Sequence, residues 1–219
     1  MEILYEDNSI IVTVKPAGVP VQSKDVSVRS LEHELKSYRK SKGEPAEIYT
    51  VHRLDQPVRG ILVFAKTSKA AAVLSKEILK EDFLKKYHAL VYKESKAPSS
   101  GSLKDFLLKD VKASKTLILT SSTPGAKEAL LDYHLIADYD RSALYEITLH
   151  TGRFHQIRAQ LSNFGFPIVG DLKYGSPESI QYSKDEGAKY ICLCACDLTF
   201  KHPLSGKYLN FTIEDGYGK

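Results

Sequence analysis

The chain has 219 residues, 42% of them hydrophobic, enough for a core that needs no metal or disulfide staple to fold. Its 31 Lys+Arg against 27 Asp+Glu leave a net charge of +4, which permits an anionic partner without selecting nucleic acid over other anions. No stretch approaches the roughly 18 apolar residues of a membrane span, and the start, Met1-Glu2-Ile3-Leu4-Tyr5-Glu6-Asp7, has no basic signal-like region. The expectation is a soluble, cytoplasmic chain with no membrane partner.

Strand patterns cover residues 3–5 and 9–14, and Lys15-Pro16-Ala17-Gly18-Val19-Pro20 stops the second in a turn or extended loop. Leu31, Leu35 and Tyr38 at i, i+4 and i+7 predict an amphipathic helix ending near Gly43. Beyond a polar loop through Pro45, the apolar pair Ile48 and Val51 leads into His52-Arg53-Leu54-Asp55-Gln56-Pro57-Val58-Arg59-Gly60. A buried-strand run follows over residues 61–65. Thr67 or Ser68 caps a helix through Lys80, with Ala71, Leu74 and Ile78 as its apolar face.

Residues 87–92 read as a strand, 94–102 as a loop, and 116–120 as another short strand. Residues 127–137 and 144–150 form a hairpin turning at Asp138-Tyr139-Asp140-Arg141. Thr151-Gly152 opens a helix with Phe154, Ile157, Leu161 and Phe164 on one face, stopped by Gly165. A second hairpin over 190–200 and 207–213 turns at His202-Pro203-Leu204-Ser205-Gly206. The predicted class is α+β: a single domain, residues 1–219, with a mostly antiparallel mixed central sheet flanked by helices. Cys192, Cys194 and Cys196 alternate along the penultimate strand, roughly 6.7 Å apart, as a row of small buried side chains. A metal site there would need a fourth ligand that the local sequence does not offer.

No GxxxxGK[ST] loop, HExxH, paired CxxC or GxGxxG helix start is present, so nucleotide hydrolysis, zinc chemistry and dinucleotide redox lose their main support. Two polar loops remain. In residues 52–60, Asp55 lies between Arg53 and Arg59, with Pro57 and Gly60 shaping the backbone. A carboxylate among guanidinium groups stays ionised and can attack an electrophilic carbon. The same residues also describe a turn Asp capping its own backbone beside solvated arginines, and spacing alone favours that reading.

In Thr151-Gly152-Arg153-Phe154-His155-Gln156-Ile157-Arg158, free N–H groups and Arg153 make a phosphate-ready helix start. Arg158 flanks the buried face and can turn inward toward a carboxylate, or stay on a solvated helix edge. His155 fits a ligand contact or a satisfied structural role. Between residues 66 and 93, seven lysines face three acids, Glu77, Glu81 and Asp82. Within that stripe Lys85-Lys86-Tyr87 puts a ring beside charge, which suits stacking on an exposed base, although a charge run is more often a solvated face.

His52-Arg53-Leu54-Asp55, then Gly60 and a strand ending Phe64-Ala65-Lys66-Thr67, resembles the signature of the RluA-type pseudouridine synthases. The resemblance spans nearly the whole chain. Tyr5-Glu6-Asp7-Asn8 through Lys15-Pro16-Ala17-Gly18 looks like the family's N-terminal strand pair. Lys85-Lys86-Tyr87 with Ala89-Leu90-Val91 is similar to its Lys-x-Tyr strand. Thr151-Gly152-Arg153, His155-Gln156-Ile157-Arg158, Gly165, Pro167-Ile168 and Gly170-Asp171 resemble its third block, and Leu193-Cys194-Ala195 with His202-Pro203 its closing segment.

The resemblance implies isomerisation of uridine within ribosomal or transfer RNA: the glycosidic bond breaks, the base rotates and a carbon–carbon bond forms. It implies that Asp55 is the catalytic aspartate, that Tyr87 packs on the target base, that Arg158 pairs with Asp55, and that Arg53 helps displace the nucleotide. His52, Arg53, Lys85, Arg153 and His155 are the expected RNA-binding residues. No metal or cofactor is implied, and the chain is expected to act as a monomer. The pattern begins at the N-terminus, so the additional RNA-binding domain of many relatives is expected to be missing.

Three departures stand out. Val58-Arg59 replaces a common Thr-Ser, Phe154 a small hydroxyl residue, and Cys194 a frequent histidine. Two rival readings compete with the isomerase. An inactive RNA- or ribosome-binding module would have no need for a desolvated Asp–Arg pair. A glycoside or nucleoside hydrolase would need a second acid across the bond, and no other acid lies in residues 52–60.

Overall fold

The computed structural model describes residues 1–25, 27–80 and 82–217; Glu81 of the lysine-rich stripe lies outside them. In chain order the elements are β1 (Glu2–Glu6), β2 (Ile10–Lys15), α1 (Leu31–Ser41), β3 (Tyr49–Thr50), β4 (Arg59–Ala65), α2 (Ser68–Glu77) and β5 (Leu84–Tyr92). They continue with β6 (Ser100–Asp110), β7 (Lys115–Leu119), β8 (Lys127–Asp138), β9 (Ser142–Leu149), α3 (Gln156–Asn163), α4 (Pro177–Asp185), β10 (Leu193–Lys201) and β11 (Tyr208–Thr212). The chain divides into two compact units, Met1–Lys85 with Ala195–Glu214 and Lys86–Cys194 with Asp215–Lys219. No helix among the described residues is long and apolar enough to cross a membrane.

In the first unit β2 pairs antiparallel with β1 and with β4, setting Ile11 opposite Phe64 and Val12 opposite Val63. Both strands are mostly apolar and almost wholly buried because both faces of the sheet are covered. Ile10, Val12, Ile61 and Val63 pack with Ala70 and Leu74 of α2, whereas Ile11, Leu62 and Phe64 pack with Leu31 and Leu35 of α1. The Ser30 hydroxyl accepts the His33 N–H to start α1, and Thr67 accepts the Ala70 N–H to start α2. β11 pairs antiparallel with β10.

The second unit is an antiparallel sheet in the order β5-β9-β8-β6-β7. Period-2 alternation buries Tyr87, Ala89 and Val91 of β5, Leu131 and Tyr133 of β8, and Tyr145 and Ile147 of β9. Gly101 of β6 crosses Tyr133 so closely that a β-carbon would stand 2.6 Å from the tyrosine hydroxyl oxygen. The α+β class and mostly antiparallel pairing agree with the sequence reading, and the three cysteines are free, with Cys194 and Cys196 buried.

Helix boundaries and two whole elements differ from that reading. α2 stops at Glu77, three residues early, with Ile78 as its C-cap. α3 starts at Gln156 instead of Thr151, because residues 151–155 form a turn that ends on His155 in the left-handed region, φ 52°. Phe154 therefore lies outside the helix, with its ring stacked on His155 and under the Lys109 ammonium. β6 and α4 were not foreseen. β6 has weak strand patterning and is held by β8 on one side and β7 on the other.

Candidate active site

Asp55 belongs to the loop between β3 and β4, and the first unit fixes that loop from both ends. The Val58 N–H donates to the Asp55 carbonyl at 3.0 Å, closing a tight turn over Gln56 and Pro57. The Gln56 carbonyl accepts from the Gly18 N–H at 2.9 Å, and the Gln56 amide donates to the Gly18 carbonyl at 3.0 Å. This reciprocal pair ties the aspartate turn to the Lys15-Pro16-Ala17-Gly18 loop.

Beneath it lies a lysine with no exposed surface. The Lys15 ammonium donates to the carbonyls of Pro16 (2.9 Å), Val19 (2.8 Å) and Gln56 (2.9 Å). Burial pushes the Lys15 pKa down to about 8, against the pull of the Asp55 charge. From sequence, Lys15 opens the loop that stops a strand and belongs to the segment resembling the family's N-terminal strand pair, with no role of its own. The available signal was a charged residue closing the otherwise apolar run Ile10-Ile11-Val12-Thr13-Val14.

Gly60 terminates the loop at φ 149°, and a β-carbon there would stand 2.4 Å from the β-carbon of Ala195 in β10. No larger residue fits. Arg59 turns to the Glu214 carbonyl at 2.6 Å. His52 has a structural partner: its Nε2 accepts the Val63 N–H at 3.1 Å, and its ring meets Phe83 edge-on at 5.6 Å. Burial, and secondarily the Lys85 charge, lowers the His52 pKa to about 3, so the ring is neutral with its proton on Nδ1. Arg53 is exposed. Lys85 lies over the Phe83 ring at 5.6 Å, and burial lowers its pKa. Lys66, at the head of the lysine-rich stripe, is withdrawn from solvent and paired with Glu6 (2.8 Å) and Glu44 (3.0 Å). It cannot serve as a surface phosphate contact in that state, which corrects the reading of residues 66–93 as one basic stripe.

In the second unit Tyr87 is buried opposite Ile147 of β9, and its neighbour Lys86 bonds Glu146 at 3.0 Å. The turn before α3 is organised by Gln156, whose side-chain oxygen accepts from the Thr151 hydroxyl (2.8 Å) and the Arg153 N–H (3.0 Å). The Arg153 side chain is exposed, with Nε donating to the Glu128 carbonyl at 2.9 Å. His155 Nδ1 lies 2.9 Å from the Tyr174 hydroxyl. That hydroxyl also accepts the Thr116 N–H at 2.7 Å, which fixes the tyrosine ring beside the histidine.

Arg158 faces inward, the first of the two orientations open from sequence, and its Nε and Nη2 grip the Asp171 carboxylate at 2.7 and 2.8 Å. Thirteen residues separate the two, and no local spacing marks the pair. Taken one unit at a time, the chain thus presents a half-buried aspartate in a braced turn, and a buried arginine held in a fixed orientation.

The sequence model for RNA pseudouridylate synthases matches residues 9–163. The ribosomal large subunit pseudouridine synthase D of Zymomonas mobilis is 29% identical over 98% of this chain and 69% of its own length. The tRNA pseudouridine synthase C of Pectobacterium carotovorum is 27% identical over 95% of this chain and 57% of its own length, so parts of both relatives have no counterpart here. Among solved structures, human RNA pseudouridylate synthase domain containing 1 shares the fold, with a TM-score of 0.80 and 22% identity over 99% of this chain and 84% of that one. The order of motifs from the His52-Arg53-Leu54-Asp55 turn onward, the matching fold and the family model agree, and the chain belongs to the RNA pseudouridylate synthase family, the RluA-type enzymes that isomerise uridine in RNA.

Proposed function

We propose that the chain converts specific uridines of structured ribosomal or transfer RNA to pseudouridine, with Asp55 as the group that acts at the anomeric carbon of the ribose. The observation that carries this reading is the bracing of the Asp55 turn by Gly18, Gln56 and the buried Lys15 ammonium. A carboxylate that must meet one carbon at attack distance gains most from a backbone held in advance. Such bracing is more than a solvated turn requires.

In the proposed cycle the target nucleotide leaves its stack at a cost of a few kcal/mol, offset by phosphate contacts and stacking. Asp55 acts as nucleophile while the glycosidic bond to N1 breaks. The uracil rotates, its C5 bonds to the anomeric carbon as the Asp55 oxygen leaves, and the C5 proton is lost while N1 gains one, so that the product is an isomer of the starting nucleotide. Tyr87 supports the base, Arg158 orients the Asp55 carboxylate, and Arg53, Lys85, Arg153 and His155 hold the RNA. His52, engaged by the Val63 N–H, contributes by shaping the loop. Residues 1–219 act as one catalytic unit, as a cytoplasmic monomer, with protein groups alone.

Asp55→Asn tests the proposal, since it retains size and removes the negative charge. The expected result is a folded protein that binds RNA as well as the parent and forms no pseudouridine. Turnover within about tenfold of wild type in the folded variant overturns the role of Asp55. Release of free uracil by the wild-type protein would instead identify a hydrolase.

A further inference from the structure

An arginine that orients a reacting carboxylate must present its guanidinium at one angle, yet its long side chain is free to sample many. In the second unit that freedom is removed. The Arg158 Nε–H donates to Asp171 Oδ2 at 2.7 Å, and an Nη2–H donates to Oδ1 at 2.8 Å, a two-point fork. The acceptor is itself held. Asp171 Oδ1 also accepts the backbone N–H groups of Lys173 (2.9 Å) and Tyr174 (3.2 Å).

The Tyr174 ring covers one face of the guanidinium at 5.1 Å, and its hydroxyl is tied to Thr116 and His155. With only 7% and 1% of their side-chain surfaces exposed, Arg158 and Asp171 meet almost no competing water. Two buried charges are a poor route to stability compared with an apolar pair of the same volume. What the fork secures is direction.

We propose that Asp171 is a positioning residue for the isomerisation: it acts by fixing the orientation of the Arg158 guanidinium. The inference rests on the reading of Arg158 as part of the Asp55 reaction. Asp171→Asn is the sharpest probe. It keeps an oxygen for the Lys173 and Tyr174 N–H groups and turns an amide NH2 toward the Arg158 Nε–H, donor against donor.

The substrates are large-subunit ribosomal RNA and transfer RNA transcribed without modifications. For Asp171→Asn we expect kcat to fall about tenfold or more, with KM for RNA within about twofold. The Arg158→Ala, Asp171→Asn double variant should turn over no more slowly than Arg158→Ala alone, because one residue works through the other. In 15N-labelled protein, the Arg158 Nε–H should exchange slowly with solvent in wild type and rapidly in Asp171→Asn. Asp171→Glu, which restores the charge, should recover part of kcat.

Wild-type turnover by folded Asp171→Asn, or losses that add in the double variant, overturns the proposal. Should Asp171→Asn fail to fold, Asp171→Glu decides: lowered kcat at unchanged KM supports positioning, and wild-type kcat refutes it. Should the wild-type protein modify neither RNA, the functional reading fails. The Nε–H exchange still decides the structural step, and unchanged protection in Asp171→Asn overturns it.

Discussion

Acidification should weaken the fold through His52 before it reaches the carboxylates. The imidazole Nε2 accepts the Val63 N–H at 3.1 Å, and a proton on Nε2 would set donor against donor inside β4. The His52 pKa is accordingly lowered from 6.5 to about 3, chiefly by burial. Above pH 6.5 the ring is neutral both folded and unfolded and stability is at its full value. Below pH 6.5 the unfolded chain takes up a proton that the folded chain refuses, so stability falls with pH until the folded pKa is reached.

At about 1.36 kcal/mol per pH unit below 6.5, a step from pH 7.5 to 4.5 removes about 3 kcal/mol. For a protein of this size that lowers the melting temperature by roughly 5–10 °C. Glu6 and Asp7, both held at about 2 by their hydrogen bonds, lose their contribution only at more acid pH. Thermal melts of wild type and His52→Gln across pH 4.5–7.5 test this, because a glutamine oxygen can accept the Val63 N–H without titrating. The expected result is a shallower pH dependence in His52→Gln. Identical slopes would refute the assignment of His52 as a neutral acceptor.

Gly60→Ala should cost at least about 3 kcal/mol, since backbone strain near φ 149° adds to a contact of 2.4 Å with the Ala195 β-carbon; a denaturation midpoint equal to wild type would show that the two strands can part. Leu35→Ala empties a fully buried position under α1 and should destabilise by about 2–5 kcal/mol in the same measurement. Arg153→Ala removes an exposed cation beside α3 and should lower the log–log salt slope of RNA binding by roughly 0.7–0.9; an unchanged slope would remove Arg153 from the RNA contact.

The periodic elements were legible in the amino-acid sequence. Leu31 and Leu35 marked the face of α1, and the alternation flanking Asp138-Tyr139-Asp140-Arg141 marked the β8–β9 hairpin, because local hydrophobic period and turn chemistry act within a few residues. The Asp55 turn was equally visible from Pro57, Gly60 and the flanking arginines, and the order of motifs identified the family. β6 was not legible, since its irregular alternation becomes a strand only when β8 and β7 supply both hydrogen-bonding edges.

The start of α3 was misplaced because Gln156 satisfies the Arg153 N–H and holds residues 151–155 as a turn, which no propensity reports. The same limit applies at the site. Lysines are almost always exposed, so nothing in the sequence announces that Lys15 is buried against the carbonyls of Pro16, Val19 and Gln56. Nor does spacing join Arg158 to Asp171, which lies beyond the end of α3. Local chemistry, read in order, determined the family and singled out the Asp55 turn as the candidate site; the partners that hold side chains at fixed angles are long-range contacts, and only tertiary structure decides those.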